Sequence, residues 1–280
     1  MFSDVLITVD FDRTLTGPDS KIPQRNLDAI TYFMENGGTF TVNTGRSPAT
    51  FWKYLDTVPV NAPFLLFNGS AAYHKGELSQ LHPIDLDVWQ TMEEMANRFP
   101  DMNLEIQGTK AHYLINPSQD IVSLYENLQW RYAPAQWGQN VGTFLKFAFF
   151  GKVHKPVVGD MFTGTPEEIA AFDNLEATIR ELYPDKVEVF RAAPRIVDVH
   201  AKGVSKLNAA RQLQKQLNKK ILICIGDAEN DLSMLEGADY AFCPSDSIVA
   251  DRFPNVCSCG EGAVADVIYK ELPKILKIQP

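Results

Sequence analysis

Two acidic constellations in the chain have residue types and spacing that suit metal-assisted chemistry. Asp10-Phe11-Asp12-Arg13-Thr14 follows the apolar run Val5–Val9, and Gly226-Asp227-Ala228-Glu229-Asn230-Asp231 follows the apolar run Ile221–Ile225. Carboxylates at i and i+2 off a strand end point the same way, while Phe11 turns to the opposite face. Clustered carboxylates repel one another and favour a hard cation such as Mg²⁺, which prefers oxygen ligands and keeps some waters. An Asp-x-Asp pair alone is weak evidence, because such pairs are common in loops; the second cluster strengthens it. Asp227 stands level with Asp10 if the two strands are neighbours. Asp227 also reads as an N-terminal cap, and Asp231 as a first-turn acid favoured by the helix dipole, worth ~0.3–1 kcal/mol.

A hydroxyl and cations complete the set. Thr44-Gly45-Arg46 follows another apolar strand and offers a hydroxyl and backbone N–H groups to an anion just before a helix N-terminus. Lys206 opens a helix, the end at which the dipole disfavours a cation. It is either a surface lysine or the partner of an anion or of carboxylates.

Positioning these groups requires strands that end together. Val5–Val9, Phe64–Phe67 and Ile221–Ile225 are short and nearly all apolar, as strands covered on both faces are, and Thr39–Val42 is a further short strand. Between them lie helical patterns: one opened by Pro23 and closed by Gly37-Gly38, one from Ser47-Pro48 through Leu55, and one after Ser205. A short helix is predicted around Leu232–Leu235 and a terminal one over Ala263–Leu272, with strand ends at Ala241-Phe242 and Val256-Cys257. Strand and helix alternating through short links signify a parallel α/β sheet, whose ligands sit outside the carboxyl ends of the strands. The middle of the chain follows a different, α+β pattern. Strands are predicted at Asn103–Gln107, His112–Ile115, Phe144–Phe150, Val187–Phe190 and Ile196–Val199, with helices at Leu86–Arg98 and Pro166–Leu182. The expected organisation is a core of residues 1–82 and 201–280 with a second domain, 83–200, inserted in it.

Composition narrows the function further. The 280 residues carry 26 Lys and Arg against 35 Asp and Glu, a net charge of −9, and no basic block or stripe marks a nucleic-acid partner. Cys257-Ser258-Cys259 lacks the second Cys/His pair of a zinc site. No apolar run approaches the ~20 residues that span a bilayer, so no membrane partner is expected and the cytoplasm is the default location. Oligomeric state is not legible.

Taken together, the motifs resemble those of the haloacid dehalogenase (HAD) superfamily phosphatases, and within them the Cof-type group with a large C2 (IIB-like) cap inserted after the third strand. The matching residues are Asp10-x-Asp12-x-Thr14, Thr44-Gly45-Arg46, Lys206 within Lys202-Gly203-Val204-Ser205-Lys206, and Gly226-Asp227-x-x-Asn230-Asp231. The resemblance implies a Rossmann-like core and a Mg²⁺-dependent hydrolysis of a small phosphorylated metabolite, a sugar phosphate by family habit. It implies Asp10 as nucleophile and Asp12 as general acid, then base. Mg²⁺ would be held by Asp10, the Asp12 carbonyl and Asp227, with Asp231 behind them. Thr44, Gly45, Arg46, Lys206 and Asn230 would bind or orient the phosphoryl group. A phosphosugar mutase of the same capped type and a non-catalytic phosphometabolite-binding protein are the alternatives. Two departures stand out: Arg13 occupies a position where the family usually has Gly, and Phe242-Cys243-Pro244-Ser245-Asp246 replaces its usual Gly-Asn stretch. In the inserted region, Lys146, Arg191 and Arg195 are candidate contacts for a second anionic group. Trp130, Tyr132 and Trp137 form either a stacking wall or part of a core.

Overall fold

The structure is a computed structural model describing residues 1–151 and 163–278. In chain order its strands and helices are β1 (Val5–Val9), α1 (Gln24–Glu35), β2 (Thr39–Val42), α2 (Pro48–Phe51), β3 (Phe64–Leu66), β4 (Ala71–His74), β5 (Glu77–Ser79), α3 (Val88–Arg98), β6 (Asn103–Gly108), β7 (His112–Ile115) and α4 (Gln119–Leu128). There follow β8 (Tyr132–Ala135), β9 (Phe144–Phe150), α5 (Pro166–Leu182), β10 (Val187–Ala193), β11 (Ile196–Ala201), α6 (Lys206–Gln216), β12 (Ile221–Ile225), α7 (Leu232–Gly237), β13 (Tyr240–Pro244), β14 (Asn255–Val256), α8 (Ala263–Asp266) and α9 (Leu272–Leu276). The chain divides into two compact units, one of Met1–Gly45, Tyr54–Ser79 and Ser205–Pro280, the other of Arg46–Lys53 and Gln80–Val204.

The first unit is a Rossmann-like α/β core. Its sheet has the order β14-β13-β12-β1-β2, and every pairing is parallel. A single bridge from Asn43 to Leu65 brings β3 alongside β2. Leu6, Leu222 and Cys224 pack with Ala210 and Leu213 of α6 and with Met234 and Leu235 of α7. The alternate residues Ile7, Ile223 and Ile225 are buried too, so apolar strands are covered on both faces, as a parallel sheet requires. Beside this sheet, β3, β4 and β5 form an antiparallel meander turning at Lys75-Gly76, whose residues both have positive φ.

The second unit is an α+β domain inserted into the first. Its six-stranded sheet has the order β10-β11-β9-β6-β7-β8, antiparallel except for β7 beside β8. One face packs Leu104, Ile106, Phe147, Phe149, Val197 and Val199 against α3 and α5. On the other, Leu114, Ala148 and Phe150 meet Ile121, Leu124 and Tyr125 of α4. Residues alternating with the apolar set form a buried polar row. Glu105 accepts hydrogen bonds from Tyr125 and Gln107, and His112 joins Glu105 (3.1 Å) to Ser47 (2.5 Å). Lys146 donates to Asp198 at 2.9 Å.

Several elements depart from the sequence expectation. The helix expected from Ser47 through Leu55 ends at Phe51. Its aromatic side chains take separate partners: Trp52 donates to the Gln129 carbonyl, and Tyr54 packs on the Phe11 ring. The terminal helix runs beyond Leu272 to Leu276, interrupted by a π-turn over Val267–Glu271. Pro273 accounts for the π-turn, since its ring clashes with the carbonyl four residues earlier and it has no N–H to give. No helix among the described residues is long and apolar enough to cross a membrane.

Candidate active site

Parallel register aligns the two acidic segments. Val9 pairs with Ile225, and the Asp10 N–H donates to the Ile225 carbonyl at 2.9 Å, so Asp10 and Asp227 emerge from adjacent strand ends. The chain then makes a wide turn, with the N–H of Leu15 donating to Asp10 O and that of Thr16 to Phe11 O. Such a turn needs a left-handed residue, and Arg13 supplies it at φ 58°, ψ 13°. Glycine adopts this conformation freely, whereas another L-residue there costs about 1–2 kcal/mol. The arginine therefore accepts strain at this position.

The turn delivers Thr14, whose hydroxyl donates to Asp227 Oδ1 at 2.7 Å in a buried setting. Asp231 completes the carboxylate group. Its Oδ2 accepts from the N–H groups of Asp227 (2.9 Å) and Ala228 (3.1 Å), so Asp231, not Asp227, caps the exposed backbone here. Gly226 makes room for it, since a Cβ at that position would lie 2.6 Å from Asp231 Cβ and Cγ. Lys206 is fully buried, which excludes the surface-lysine reading. Its ammonium donates to Asp10 Oδ1 at 2.5 Å and Asp231 Oδ1 at 2.6 Å. Asn43 holds the start of α6 in place by donating to the Lys206 carbonyl at 2.9 Å.

The electrostatics of this group are frustrated. Three carboxylates, Asp10, Asp227 and Asp231, offer oxygens within 4.8 Å of one another, against one bonded ammonium. Burial, opposed by Lys206 and reinforced by Asp231 and Asp12, pushes the Asp10 carboxyl from 3.8 up to about 7. Burial and the charges of Asp10 and Asp231 hold Asp227 well above the usual carboxylate range. Burial works against the Lys206 ammonium, yet the two aspartates keep its pKa above that of an ordinary lysine. When all three carboxylates are ionised, the excess negative charge on hard oxygen donors fits a divalent cation such as Mg²⁺.

A second group lies at the ends of β2 and β3. The buried Thr44 donates its N–H to Leu65 O, and its carbonyl accepts from the Asn68 N–H at 3.0 Å. Asn68, left-handed at φ 54°, accepts at Oδ1 from Asn230 at 3.4 Å. Gly45 allows this approach, because a Cβ there would lie 2.9 Å from Asn68 Oδ1. The structure therefore gathers Asp10, Asp227, Asp231 and Lys206 into one cluster and Thr44, Gly45 and Asn230 into another. Asp12 is half-buried on the turn between Asp10 and Thr14. Arg46 falls in the second unit, where its guanidinium donates to the Thr50 carbonyl. Sequence reasoning gave Asn43 no role and Thr14 none beyond its place in the motif.

The candidate contacts of the inserted unit have partners there. Lys146 is buried against Asp198, Arg191 pairs with Asp173 and Glu176, and Arg195 with Glu168. Trp130 and Tyr132 pack edge-on against Tyr125 at the margin of a core, whereas Trp137 is exposed and leans on Trp89 at a tilt.

This arrangement matches known proteins. The family model for haloacid dehalogenase-like hydrolases matches residues 7–248. The 5-amino-6-(5-phospho-D-ribitylamino)uracil phosphatase YitU of Bacillus subtilis is 20% identical over 240 residues, covering 83% of each chain. The structure of SMU.1108c from Streptococcus mutans superposes with a TM-score of 0.80 at 19% identity, covering 97% of this chain and 99% of that one. That of the HAD subclass IIB sugar phosphatase BT4131 gives 0.76 at 17% identity, over 98% and 99%. With a parallel core, an inserted α+β domain and a buried aspartate cluster at the strand ends, the chain belongs to the haloacid dehalogenase-like hydrolases.

Proposed function

We propose that this hydrolase is a Mg²⁺-dependent, Cof-type phosphatase that cleaves a small phosphorylated metabolite, such as a sugar phosphate, through a phosphoaspartate on Asp10. The observation that carries the reading is the excess of buried carboxylate over ammonium at the ends of β1 and β12. The names of YitU and BT4131, both phosphatases of organic phosphates, support it.

In the first step a carboxylate oxygen of Asp10 bonds to phosphorus as the ester oxygen leaves, and Asp12 gives that oxygen a proton. In the second, Asp12 takes a proton from the water that attacks phosphorus, and Asp10 is released with inorganic phosphate. One carboxyl serves both steps because the first leaves it as a base. Lys206, fixed by Asp10 and Asp231, together with Thr44, Gly45, Arg46 and Asn230, binds and orients the phosphoryl oxygens. Mg²⁺ bound by Asp10, the Asp12 carbonyl and Asp227, with Asp231 in support, supplies the positive charge that a carboxylate needs to approach a phosphate dianion. Residues 83–200 act as the cap that selects substrate and sheds water, and we place the enzyme in the cytoplasm.

The test is phosphate release from a panel of phosphate esters with Mg²⁺, run beside Asp10→Asn. If no ester is hydrolysed faster by the wild type than by the variant, the phosphatase reading is wrong. Asp12→Asn should slow alkyl phosphates more than aryl phosphates, whose leaving groups need less protonation. Equal losses across leaving groups would remove Asp12 from the acid role.

A further inference from the structure

Arg13 stands on the turn between Asp12 and Thr14 in a left-handed conformation that glycine adopts without strain. Its side chain is exposed. Its backbone N–H donates to the Thr16 hydroxyl, but its guanidinium makes no hydrogen bond or ion pair among the described residues. The turn packs against Cys259–Glu261, and Asp246 lies within electrostatic reach. Asp246 is not a direct partner, because its two carboxylate oxygens accept from the Cys259 N–H (2.9 Å) and thiol (3.2 Å). The charge of Arg13 therefore reaches Asp246 without a direct ion pair between them. The five donors of the exposed guanidinium take no partner among the described residues.

Lys206, the cation beside Asp10, already holds two carboxylates. Strain retained at a functional turn points to a use for the side chain that causes it. We propose that Arg13 binds a second anionic group of the substrate, a carboxylate or a further phosphate, through the paired N–H groups of its guanidinium. The favoured substrates are then phosphorylated acids or bisphosphates, with neutral sugar phosphates ranking below them. This inference rests on the phosphatase reading and narrows its substrate class.

Two probes that differ at one carbon test it: 6-phosphogluconate, with a carboxylate at C1, and sorbitol 6-phosphate, with a neutral hydroxymethyl group there. 3-Phosphoglycerate and glycerol 3-phosphate form a shorter matched pair. Binding is measured calorimetrically with Mg²⁺ in the Asp10→Asn background, so that no turnover is needed, and hydrolysis is measured in the wild type. In one pair or both, the acid should bind at least tenfold more tightly than its neutral partner. Arg13→Gly should reduce that ratio about tenfold, and Arg13→Lys should retain part of it. A ratio near one in both pairs, or one that Arg13→Gly leaves unchanged, overturns the assignment. Absence of hydrolysis with the binding ratio intact would count against the phosphatase reading alone.

Discussion

Replacing Asp10 by asparagine preserves the shape of the side chain and an oxygen for the Lys206 ammonium, but removes one of three crowded negative charges. Burial, with Lys206 opposing and Asp231 and Asp12 adding, raises the Asp10 carboxyl from 3.8 to about 7 when no metal is bound. A carboxyl whose folded pKa exceeds its unfolded value stabilises the fold while it is protonated. That contribution is complete below pH 3.8, declines as pH rises, and is gone once pH passes about 7. At 1.36 kcal/mol per unit, a rise of roughly three units makes the ionised group cost up to about 4 kcal/mol at pH 8. At pH 5 the same relation leaves less than half of that. In chelator at pH 8, Asp10→Asn should therefore be the more stable protein, by on the order of 2–4 kcal/mol, with a much smaller advantage at pH 5. Mg²⁺ should stabilise the wild type more than the variant, since a ligand that binds the native state adds to its stability. Urea unfolding at the two pH values, with and without Mg²⁺, measures all of these quantities. A variant less stable than wild type in chelator at pH 8, or an advantage independent of pH, would refute the picture of a charge-frustrated site.

Three further outcomes follow from named contacts. Lys206→Met keeps the volume of the buried stem but leaves Asp10 and Asp231 without their ammonium, so urea unfolding in chelator should show a loss of about 3–5 kcal/mol, partly restored by Mg²⁺. Thr14→Val removes the donor to Asp227 Oδ1; a loss of ~1.5–3 kcal/mol is expected, and calorimetry should show altered Mg²⁺ affinity. In the inserted unit, burial opposes the Glu105 charge, yet His112, Tyr125 and Lys146 keep its pKa below 4.5. Its stabilisation is present above pH 4.5 and lost as pH falls through the lower folded value, so Glu105→Gln should flatten the acid limb of a pH–stability curve below pH 4.5.

The core and its cluster were legible because strong local signals agreed with long-range ones. Apolar runs ending at Val9, Val42 and Ile225 left their polar successors at one sheet edge, and parallel pairing brought Asp10 level with Asp227. Other features depend on tertiary partners that no window of sequence contains. Asn43 is an ordinary strand-end residue until α6 places the Lys206 carbonyl beside it. The meander of β4 and β5 is too short for a periodic signal, and α4, which Ser118 caps, was not predicted. Lys146, Arg191 and Arg195 looked available as residue types, and only the fold shows Asp198, Glu176 and Glu168 beside them.

Asp231 shows why this site needs all of its parts at once. One of its oxygens caps the backbone of Asp227 and Ala228, and the other holds Lys206, so neither is left for a substrate. Its charge raises the pKa values of both Asp10 and Asp227, a cost to the metal-free fold. The same charge keeps the Lys206 ammonium protonated beside Asp10 and deepens the negative well that draws a divalent cation. Removing Asp231 would relieve the repulsion while releasing the lysine and uncapping the strand end that presents Asp227. The repulsion that frustrates the metal-free site and the contacts that fix Lys206 and the end of β12 thus come from one carboxylate, and Gly226 is the residue whose missing side chain lets it sit there.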